Sequence, residues 1–159
     1  MRKSLILALF FTILISACAT LETITTEYPL EGPYLVTKVV DGDTADVIIN
    51  RTTERLRFSG INTPETDECF YQEATDKLSE LILDKEIYLQ RDISNKGNYG
   101  RLLRYIYIDD LLVNEYLVEQ GYAKCYHKYK DDTSKYYQLA MAEAEAIRLN
   151  LGLWAECKY

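Results

Sequence analysis

Residues 34–61 read YLVTKVVDGDTADVIINRTTERLRFSGI and contain three short runs with the composition of β-strands. Tyr34 to Val40 is rich in β-branched and apolar residues, Asp41-Gly42 is a turn signal, and Thr44 to Ile49 resumes the strand pattern. This arrangement predicts a β-hairpin. Arg55 to Ile61 then alternates apolar and polar residues, which predicts a third strand with one buried face.

The remaining elements follow from helical spacing, strand composition and turn residues. They are a helix from a cap at Asp67 to about Leu83, strands over 86–93 and 101–108, a short helix capped by Asn114 and ended by Gly121, a short strand over 122–126, and a helix over 133–149 that ends before Gly152. Strand and helix units do not alternate, so a parallel sheet is not expected. The order favours a mainly β fold with helices, namely a five-stranded antiparallel OB-fold barrel with three helices, whose exposed face commonly binds oligonucleotides or oligosaccharides.

The overall composition limits what the protein can do. The chain has 159 residues, 48% hydrophobic and 27% charged, which indicates one globular domain and argues against disorder and against a polytopic membrane protein. The formal net charge of -7 excludes non-specific polyanion binding driven by bulk charge. A protein of this composition that acts on a phosphodiester needs a local basic cluster or a metal ion recruited by its carboxylates.

The first 18 residues have the pattern of an export signal, with two basic residues, the apolar run Leu5 to Ile15, and then Ser16-Ala17-Cys18. The apolar run is shorter than the roughly 20 residues that a spanning helix needs. Ile15 to Cys18 also resembles the lipobox of bacterial lipoproteins, in which the cysteine becomes the lipidated first residue. An ordinary cleaved signal, which would give a secreted protein, is the alternative.

We therefore expect an extracytoplasmic protein that is anchored to the cell membrane through lipid at Cys18. The expected division of the chain is a signal peptide over 1–17, a tether over 18–32 and a folded domain over 33–159. The tether is rich in Thr and Glu and has no core of its own. We expect the domain to be a monomer.

Three cysteines remain once Cys18 carries lipid. In an oxidising compartment two of Cys69, Cys125 and Cys157 can pair. The sequence does not fix the pair, but we favour Cys69 with Cys157, because that bond would tie the chain end to the start of the first helix. Cys125 lies in a strand pattern that suits a buried thiol. The absence of C-x-x-C spacing argues against a metal site built from these cysteines and His127.

Reactive side chains are concentrated in three short segments, each at a predicted strand end. The segments are Val40 to Thr44, Arg57 to Thr66, and Asn98 to Arg101. Each alone has an ordinary explanation, such as an Asx turn or a solvated arginine.

Taken together and in order, these segments resemble the staphylococcal nuclease family. The resemblance covers about Tyr34 to Trp154 and rests on an ordered set of motifs. They are Val39-Val40-Asp41-Gly42-Asp43-Thr44, Arg57 with Asn62-Thr63-Pro64-Glu65-Thr66, Tyr99-Gly100-Arg101 with Tyr105-Ile106-Tyr107, Val113-Asn114-Glu115 through Gly121-Tyr122-Ala123-Lys124, and Leu149 to Trp154. The family fold is an OB barrel with three helices, in agreement with the pattern.

The resemblance implies a Ca²⁺-dependent endonuclease that hydrolyses phosphodiester bonds of DNA and RNA and leaves 3'-phosphate ends. Matching positions assign Asp43, Asn62 and the carbonyl of Thr63 to the metal, with Asp41 as an outer carboxylate, Arg57 and Arg101 to the phosphate, and Glu65 to the attacking water. Hydrolysis of a phosphodiester builds negative charge, which a divalent cation and two arginine forks can stabilise.

The substrate wall is implied in the same way. Tyr99 and Tyr129 match family positions that stack on base or sugar, and stacking tolerates any sequence. His127 also matches such a position, but we interpret it as an exposed strand-end residue. Lys124 belongs to the one dense basic run, which continues with Lys128 and Lys130, and we expect it to contribute to substrate binding.

Two positions depart from the family pattern. Asn62 stands where many members have a metal-binding aspartate. An amide oxygen can still bind Ca²⁺, but the site loses one negative charge, so we expect weaker affinity. The segment between Glu65 and the first helix is shorter than in the staphylococcal enzyme and contains Cys69, so a disulfide there would restrain the loop.

A second hypothesis is a non-catalytic OB-fold lipoprotein that binds nucleic acid or another ligand at the cell surface. Asn62 and the acidic composition favour it slightly. The joint presence of Asp43, Arg57, Glu65 and Arg101 opposes it, because a binding module has no need of Glu65 near an anionic substrate.

Overall fold

The computed structural model describes residues 28–158. The predicted signal peptide, the lipidation site at Cys18 and most of the predicted tether lie outside the described residues. Within 28–158, none of the helices is long and apolar enough to cross a membrane. The first strand begins at Leu30 and pairs there with Gln90, so the last residues assigned to the tether belong to the sheet.

Eight strands and four α-helices make up the described fold. They are β1 (Leu30–Asp41), β2 (Thr44–Ile49), β3 (Thr52–Phe58), β4 (Ile61–Asn62), α1 (Tyr71–Ile82), β5 (Glu86–Lys96), β6 (Leu102–Ile108), β7 (Leu111–Leu112), α2 (Val113–Glu119), β8 (Lys124–Cys125), α3 (Tyr136–Leu149) and α4 (Leu153–Glu156), with 3₁₀ turns at Asn98–Gly100 and His127–Asp132.

The barrel consists of β1, β2, β3, β5 and β6. Antiparallel pairs join β1 to β2 and β5, β2 to β3, and β5 to β6. The barrel closes where Leu56 to Phe58 runs parallel to Leu102 to Arg104. The predicted five-stranded barrel with three main helices is confirmed, but the expectation of purely antiparallel pairing was wrong. The closing pair is parallel because α1 and β5 lie between β3 and β6 and form the long crossover that a parallel pair needs.

The predicted hairpin of β1 and β2 is confirmed, with Asp41 paired to Thr44 across the turn. Gly42 in this turn lies close to Thr63 and to Ala74 of α1. A Cβ at Gly42 would be 2.8 Å from Cγ2 of Thr63 and 2.9 Å from Cβ of Ala74. Any larger residue would therefore push the turn away from Thr63 and α1, and with it Asp43.

A single apolar core fills the barrel and extends under the helices. Its largest fully buried side chains come from both regions: Tyr105, Phe58, Leu56, Ile61, Leu78, Ile82, Ile87, Leu89, Ile106, Leu117, Leu139 and Leu153. The helix α1 contributes Ala74, Leu78 and Ile82, which lie on one face at helical spacing. Burial on this scale is the main force that holds the strand ends in place.

The start of α1 differs from the prediction. The helix begins at Tyr71, and Asp67 is not its cap, because Asp67 and Phe70 both have φ of 73° and interrupt the helical backbone. The backbone N–H of Glu68 instead donates to the carbonyl of Glu65, 2.9 Å away, and closes a separate turn. The sequence periodicity of the helix is right, but its first four predicted residues form this turn.

Other boundaries also shift. The strand β5 continues to Lys96, whereas β8 is limited to two residues because the chain enters a 3₁₀ turn at His127. The helix predicted over 133–149, α3, starts at Tyr136 rather than at Thr133 and is terminated by Asn150, whose φ is 55°, before Gly152 is reached.

Asn114 is not a helix cap as predicted. It lies within the first turn of α2 and is fully buried. Its Oδ1 accepts from the backbone N–H of Ile106 at 2.9 Å, and its Nδ2 donates to the carbonyls of Ser59 at 2.9 Å and Arg104 at 3.4 Å. One amide thus joins α2 to the region where β3 and β6 meet.

Replacing Asn114 with alanine should lower the free energy of unfolding by about 2–4 kcal/mol, because it leaves buried backbone groups without partners. Denaturant unfolding of both proteins measures the change. Asn95→Ala, at an exposed site, is the control and should shift stability by less than about 0.5 kcal/mol. A loss below about 1 kcal/mol for Asn114→Ala would show that this amide does not hold the junction.

Candidate active site

An open cleft of about 630 Å³ lies beside the barrel and brings the three reactive segments together. The predicted site residues that line it are Asp41, Asp43, Arg57, Asn62, Glu65, Tyr99, Arg101 and Tyr129. They come from the β1–β2 turn, from β3 and β4 with the residues that follow, from the 3₁₀ turn before β6, and from the 3₁₀ turn after β8. Segments far apart in the sequence therefore share one cavity.

Asp43 lies at the base of this cleft and is only 5% exposed. Its Oδ2 accepts from the backbone N–H of Thr63 at 2.9 Å and from the Thr63 hydroxyl at 3.1 Å. Its Oδ1 accepts from the hydroxyl of Thr44 at 3.2 Å. The carboxylate is therefore held by the first residue of β2 and by the residue after β4, and it has little freedom to rotate.

The ionisation of Asp43 reflects its burial. Burial raises the pKa of Asp43 to about 6, the charge of Asp41 adds to that rise, and Arg57 and the hydrogen bonds from Thr63 oppose it. Asp41 also contacts Asp43 directly: its Oδ1 accepts from the backbone N–H of Asp43 at 3.0 Å. Two carboxylates held this close favour a cation beside them.

Arg57 is fixed by four acceptors. Its Nη1 donates to the carbonyls of Phe58 and Ile61, both at 2.9 Å. Its Nη2 donates to Oδ1 of Asn62 at 2.9 Å and lies 3.0 Å from Oδ2 of Asp43. The side chain is 12% exposed, so the guanidinium has a set orientation at the wall of the cleft.

Asn62 uses both ends of its amide. Oδ1 faces Arg57, while Nδ2 donates to the carbonyl of Thr63 at 3.3 Å. Asn62 also pairs with Lys124 where β4 meets β8. The Asn62 amide therefore occupies the carbonyl oxygen of Thr63, which the family pattern assigns to the metal. An aspartate at this position would have no N–H group and would leave that oxygen open.

Glu65 is exposed and lines the cleft just after Pro64. Its backbone is held in a reciprocal turn: the N–H of Glu65 donates to Oε2 of Glu68 at 2.8 Å, and the N–H of Glu68 donates to the carbonyl of Glu65 at 2.9 Å. The backbone is thus restrained while the carboxylate reaches solvent.

Arg101 follows the 3₁₀ turn over Asn98–Gly100 and lines the same cleft. Its Nε is buried and has no hydrogen-bond partner among residues 28–158. A buried donor without a partner is uncommon in a folded protein. Arg91 and Arg104 have an Nε of the same kind, so it is the position of Arg101 at the wall of the cleft that suits it to an anionic ligand.

Aromatic and basic side chains form the outer wall. Tyr99 is 95% exposed, and Tyr129 contacts Tyr126 edge to face with ring centres 5.1 Å apart. The Tyr126 ring lies 6.0 Å from the guanidinium of Arg57, and Lys128 lies over the Tyr129 ring. Tyr126 was missed from the sequence, because its place beside Arg57 depends on the pairing of β4 with β8, which no local pattern indicates.

Lys124 lies outside this cleft. It lines a second cavity of about 250 Å³, together with Asn62, Thr63, Cys69 and Cys157, and its Nζ is 5.6 Å from the centre of the Trp154 ring. Lys124 is therefore not part of the lining of the main cleft, where we expected it from the sequence, although it pairs with Asn62, which lines both cavities.

His127 is turned toward α3. Its Nε2 lies 2.7 Å from Oε2 of Glu143, and its Nδ1 lies 3.0 Å from the hydroxyl of Tyr136. Glu143 also accepts from the backbone N–H of Cys125 at 2.9 Å. His127 thus joins the end of β8 to α3.

The cysteines divide into a bonded pair and a thiol. Cys69 and Cys157 form a disulfide with Cα atoms 5.8 Å apart, the pairing favoured from the sequence. Cys125 is a buried free thiol, and burial raises its pKa to about 11. The bonded pair lies next to the turn that follows Glu65.

The side chains fit a hard cation such as Ca²⁺ in chemical type. Within 28–158 no group of three or more His, Cys, Asp or Glu side chains is placed to hold a metal. A site here would combine the buried carboxylate of Asp43 with the amide oxygen of Asn62 and the carbonyl of Thr63, and Ca²⁺ accepts all three oxygen types. The raised pKa of Asp43 indicates a carboxylate that would gain from a nearby cation.

Comparison with known proteins assigns the chain to a family. The family described as "Staphylococcal nuclease homologue" matches residues 55–156. This range covers most of the domain and contains Arg57, Asn62, Glu65 and Arg101. The chain belongs to the staphylococcal nuclease family.

Several curated relatives are similar along most of the chain. Micrococcal nuclease of Shigella flexneri is 32% identical over 130 residues, which is 76% of this chain and 72% of the relative. Thermonuclease of Staphylococcus hyicus is 30% identical over 132 residues, or 79% and 77%. Endonuclease YncB of Bacillus subtilis (strain 168) is 31% identical over 129 residues, or 77% of this chain. The match spans only 61% of the length of YncB.

Replacing Asn62 with aspartate should strengthen Ca²⁺ binding about tenfold or more, because it adds a charge beside Asp43 and removes the N–H that occupies the Thr63 carbonyl. Isothermal titration of both proteins with Ca²⁺ measures the change. Asn98→Asp adds the same charge at the rim of the cleft and should alter the affinity much less. Equal affinity of wild type and Asn62→Asp would remove Asn62 from the metal site.

Proposed function

We propose that this protein is a Ca²⁺-dependent endonuclease that hydrolyses phosphodiester bonds of DNA and RNA and leaves 3'-phosphate ends. One observation carries the proposal: Arg57, Arg101 and Glu65 line one cleft with the buried carboxylate of Asp43. The named activities of the curated relatives support it.

The two arginines differ in how they are held, and this suits two tasks. Arg57 has its guanidinium fixed before substrate arrives, so it stabilises negative charge on the phosphate without reorganisation. Arg101 is partly exposed at the wall of the same cleft, so its guanidinium would donate to a phosphate oxygen that enters the cleft. In this proposal Arg101 also assists the leaving oxygen.

Glu65 is the residue that we assign to the attacking water. A carboxylate that is exposed to the cleft can orient a water and accept its proton. The reciprocal turn with Glu68 restrains the backbone of Glu65, which limits the positions that its carboxylate reaches. Holding the carboxylate of Glu65 near the phosphate would supply part of the rate enhancement.

Asp43, Asn62 and the Thr63 carbonyl would hold Ca²⁺, with Asp41 as an outer carboxylate. When bound there, the ion would supply positive charge that stabilises the developing charge on the phosphate. The protein contributes a carboxylate whose orientation is fixed by Thr63 and Thr44 before the ion binds.

The outer wall would bind nucleotides without selecting a sequence. Tyr99, Tyr126 and Tyr129 offer ring faces or edges for stacking, and Lys96 and Lys128 add local positive charge to a protein of net charge -7. Lys124 is left out of this wall because it lines the second cavity.

A non-catalytic OB-fold module that binds nucleic acid or another ligand is the second candidate. The observation that favours it is Asn62, whose amide faces Arg57 and the Thr63 carbonyl instead of adding charge to the metal site. It does not account for Glu65, because a carboxylate in the cleft repels an anionic ligand that is only bound.

We also propose that the protein works outside the cytoplasm, anchored to the cell membrane by lipid at Cys18. The support is the basic, apolar and lipobox-like pattern of the first 18 residues. The disulfide between Cys69 and Cys157 is in accord with an oxidising compartment.

Glu65→Gln should lower the rate of cleavage of single-stranded DNA about a hundredfold to ten-thousandfold, because the amide cannot accept the proton of water. Release of acid-soluble nucleotides with Ca²⁺ and with chelator measures the rate, and chelator should abolish it in the wild type. Glu73→Gln removes the same charge from an exposed position on α1 and serves as the matched control.

Full activity of Glu65→Gln would remove Glu65 from the mechanism. If the folded wild type bound oligonucleotides but released no nucleotides at millimolar Ca²⁺, the binding module would replace the nuclease as the function.

Cys18→Ser should abolish incorporation of radiolabelled palmitate and release the protein from the membrane fraction, because no thiol remains to carry lipid. The measurement is autoradiography of the wild type and the variant expressed in a bacterial host. Unchanged labelling would exclude Cys18 as the site. An unlabelled wild type in the culture medium would favour the secreted alternative.

A further inference from the structure

The residues between Glu65 and α1 form a strained turn. Asp67 and Phe70 both have φ of 73°, in the left-handed region. Aspartate tolerates this region, but a bulky aromatic residue rarely adopts it. Phe70 occupies the cap position of α1 and makes no side-chain capping bond there. Such a backbone persists only where its surroundings hold it in place.

One restraint on this turn is the disulfide. Cys69 lies between the two strained residues and is bonded to Cys157. Glu68, which accepts the backbone N–H of Glu65, immediately precedes Cys69. The covalent bond therefore acts one residue away from the group that positions Glu65.

The other end of the disulfide is attached to a closely packed part of the fold. Cys157 follows α4, and the N–H of Leu153 donates to the carbonyl of Gly121 at 2.8 Å. The backbones approach so closely here that a Cβ at Gly121 would lie 2.2 Å from the carbonyl oxygen of Leu151. The bond thus connects the strained turn to a closely packed junction at the end of α2.

We propose that the Cys69–Cys157 disulfide positions Glu65, so that the activity of the enzyme depends on the oxidation of this pair. The inference rests on the proposed function. Cys69 and Cys157 are positioning residues, which act on the reaction through the turn over Glu65 to Glu68 and do not touch the phosphate.

Reduction would release the turn. A dithiol transfers two electrons and two protons to the pair: the S–S bond breaks, two thiols form, and the dithiol becomes a disulfide. Cys69 is exposed, so the bond is open to attack. A chain that is still in a reducing compartment would lack the bond and would therefore be a poor nuclease until export.

The test compares the full-length wild type, oxidised and reduced by dithiothreitol, with the double variant Cys69→Ser/Cys157→Ser. Loss of the bond should lower kcat about tenfold to a hundredfold, because a small displacement of the base has that cost, and should change KM within about twofold. The double variant should not respond to dithiothreitol. Cys125→Ala, which removes the buried thiol, should retain kcat and the full response to reduction.

The same measurements on Glu65→Gln separate positioning from general stabilisation. With the disulfide present, Glu65→Gln should have its full effect on kcat; without the disulfide, the same substitution should cost at least about tenfold less. A kcat that is unchanged by loss of the bond would overturn the proposal. So would a fall in kcat that leaves the cost of Glu65→Gln the same in both backgrounds.

Hydrogen exchange tests the restraint without using activity. Reduction should reduce protection of the Glu65 and Glu68 amides, while the amides of β2 and β3 keep theirs. Unchanged protection of the two turn amides would overturn the proposal even in an active enzyme. If the oxidised wild type has no nuclease activity, the proposed function fails, and this exchange measurement still tests whether the disulfide holds the turn.

Discussion

The cleft depends on the contacts that the carboxylate of Asp43 makes. It accepts from the backbone and hydroxyl of Thr63, from the hydroxyl of Thr44, and it pairs with Arg57. These contacts join the hairpin turn to β3 and to the segment after β4, where Glu65 follows. The approach of Gly42 to Thr63 makes the contacts possible. A buried charge needs such partners, so the site and the local fold are stabilised by the same bonds.

This arrangement divides the cleft into a rigid base and an adjustable rim. Asp43 and Arg57 are almost buried and fully engaged, whereas Tyr99 is exposed and Glu65 reaches solvent from a restrained turn. Asn62 lies between the base and the rim. Its amide connects Arg57 to the Thr63 carbonyl, and it supplies hydrogen bonds where the family pattern has a charged aspartate. Hydrogen bonds within the protein therefore hold the base of the cleft in place before substrate binds, and the rim would add the substrate contacts.

Local patterns predicted the elements whose contacts are local. The hairpin at Asp41-Gly42 follows from turn chemistry and strand composition, and the apolar spacing of α1 follows from its buried face. The parallel closure of β3 on β6 and the pairing of β4 with β8 were not predictable, because they join segments far apart in sequence. The second pairing places Tyr126 beside Arg57 and Lys124 beside Asn62. Asn114 was misread as a cap because its buried partners lie on β6 and after β3.

We propose that this cleft cleaves the phosphodiester on the 5'-oxygen side, with charge held by Asp43, Arg57 and Arg101. Mass spectrometry of the products from a defined single-stranded oligodeoxynucleotide tests it most directly. In the presence of Ca²⁺ we expect internal cleavage into fragments that end in a 3'-phosphate and begin with a 5'-hydroxyl. Fragments with 5'-phosphate ends, or an oligonucleotide that stays intact with the folded protein, would contradict it.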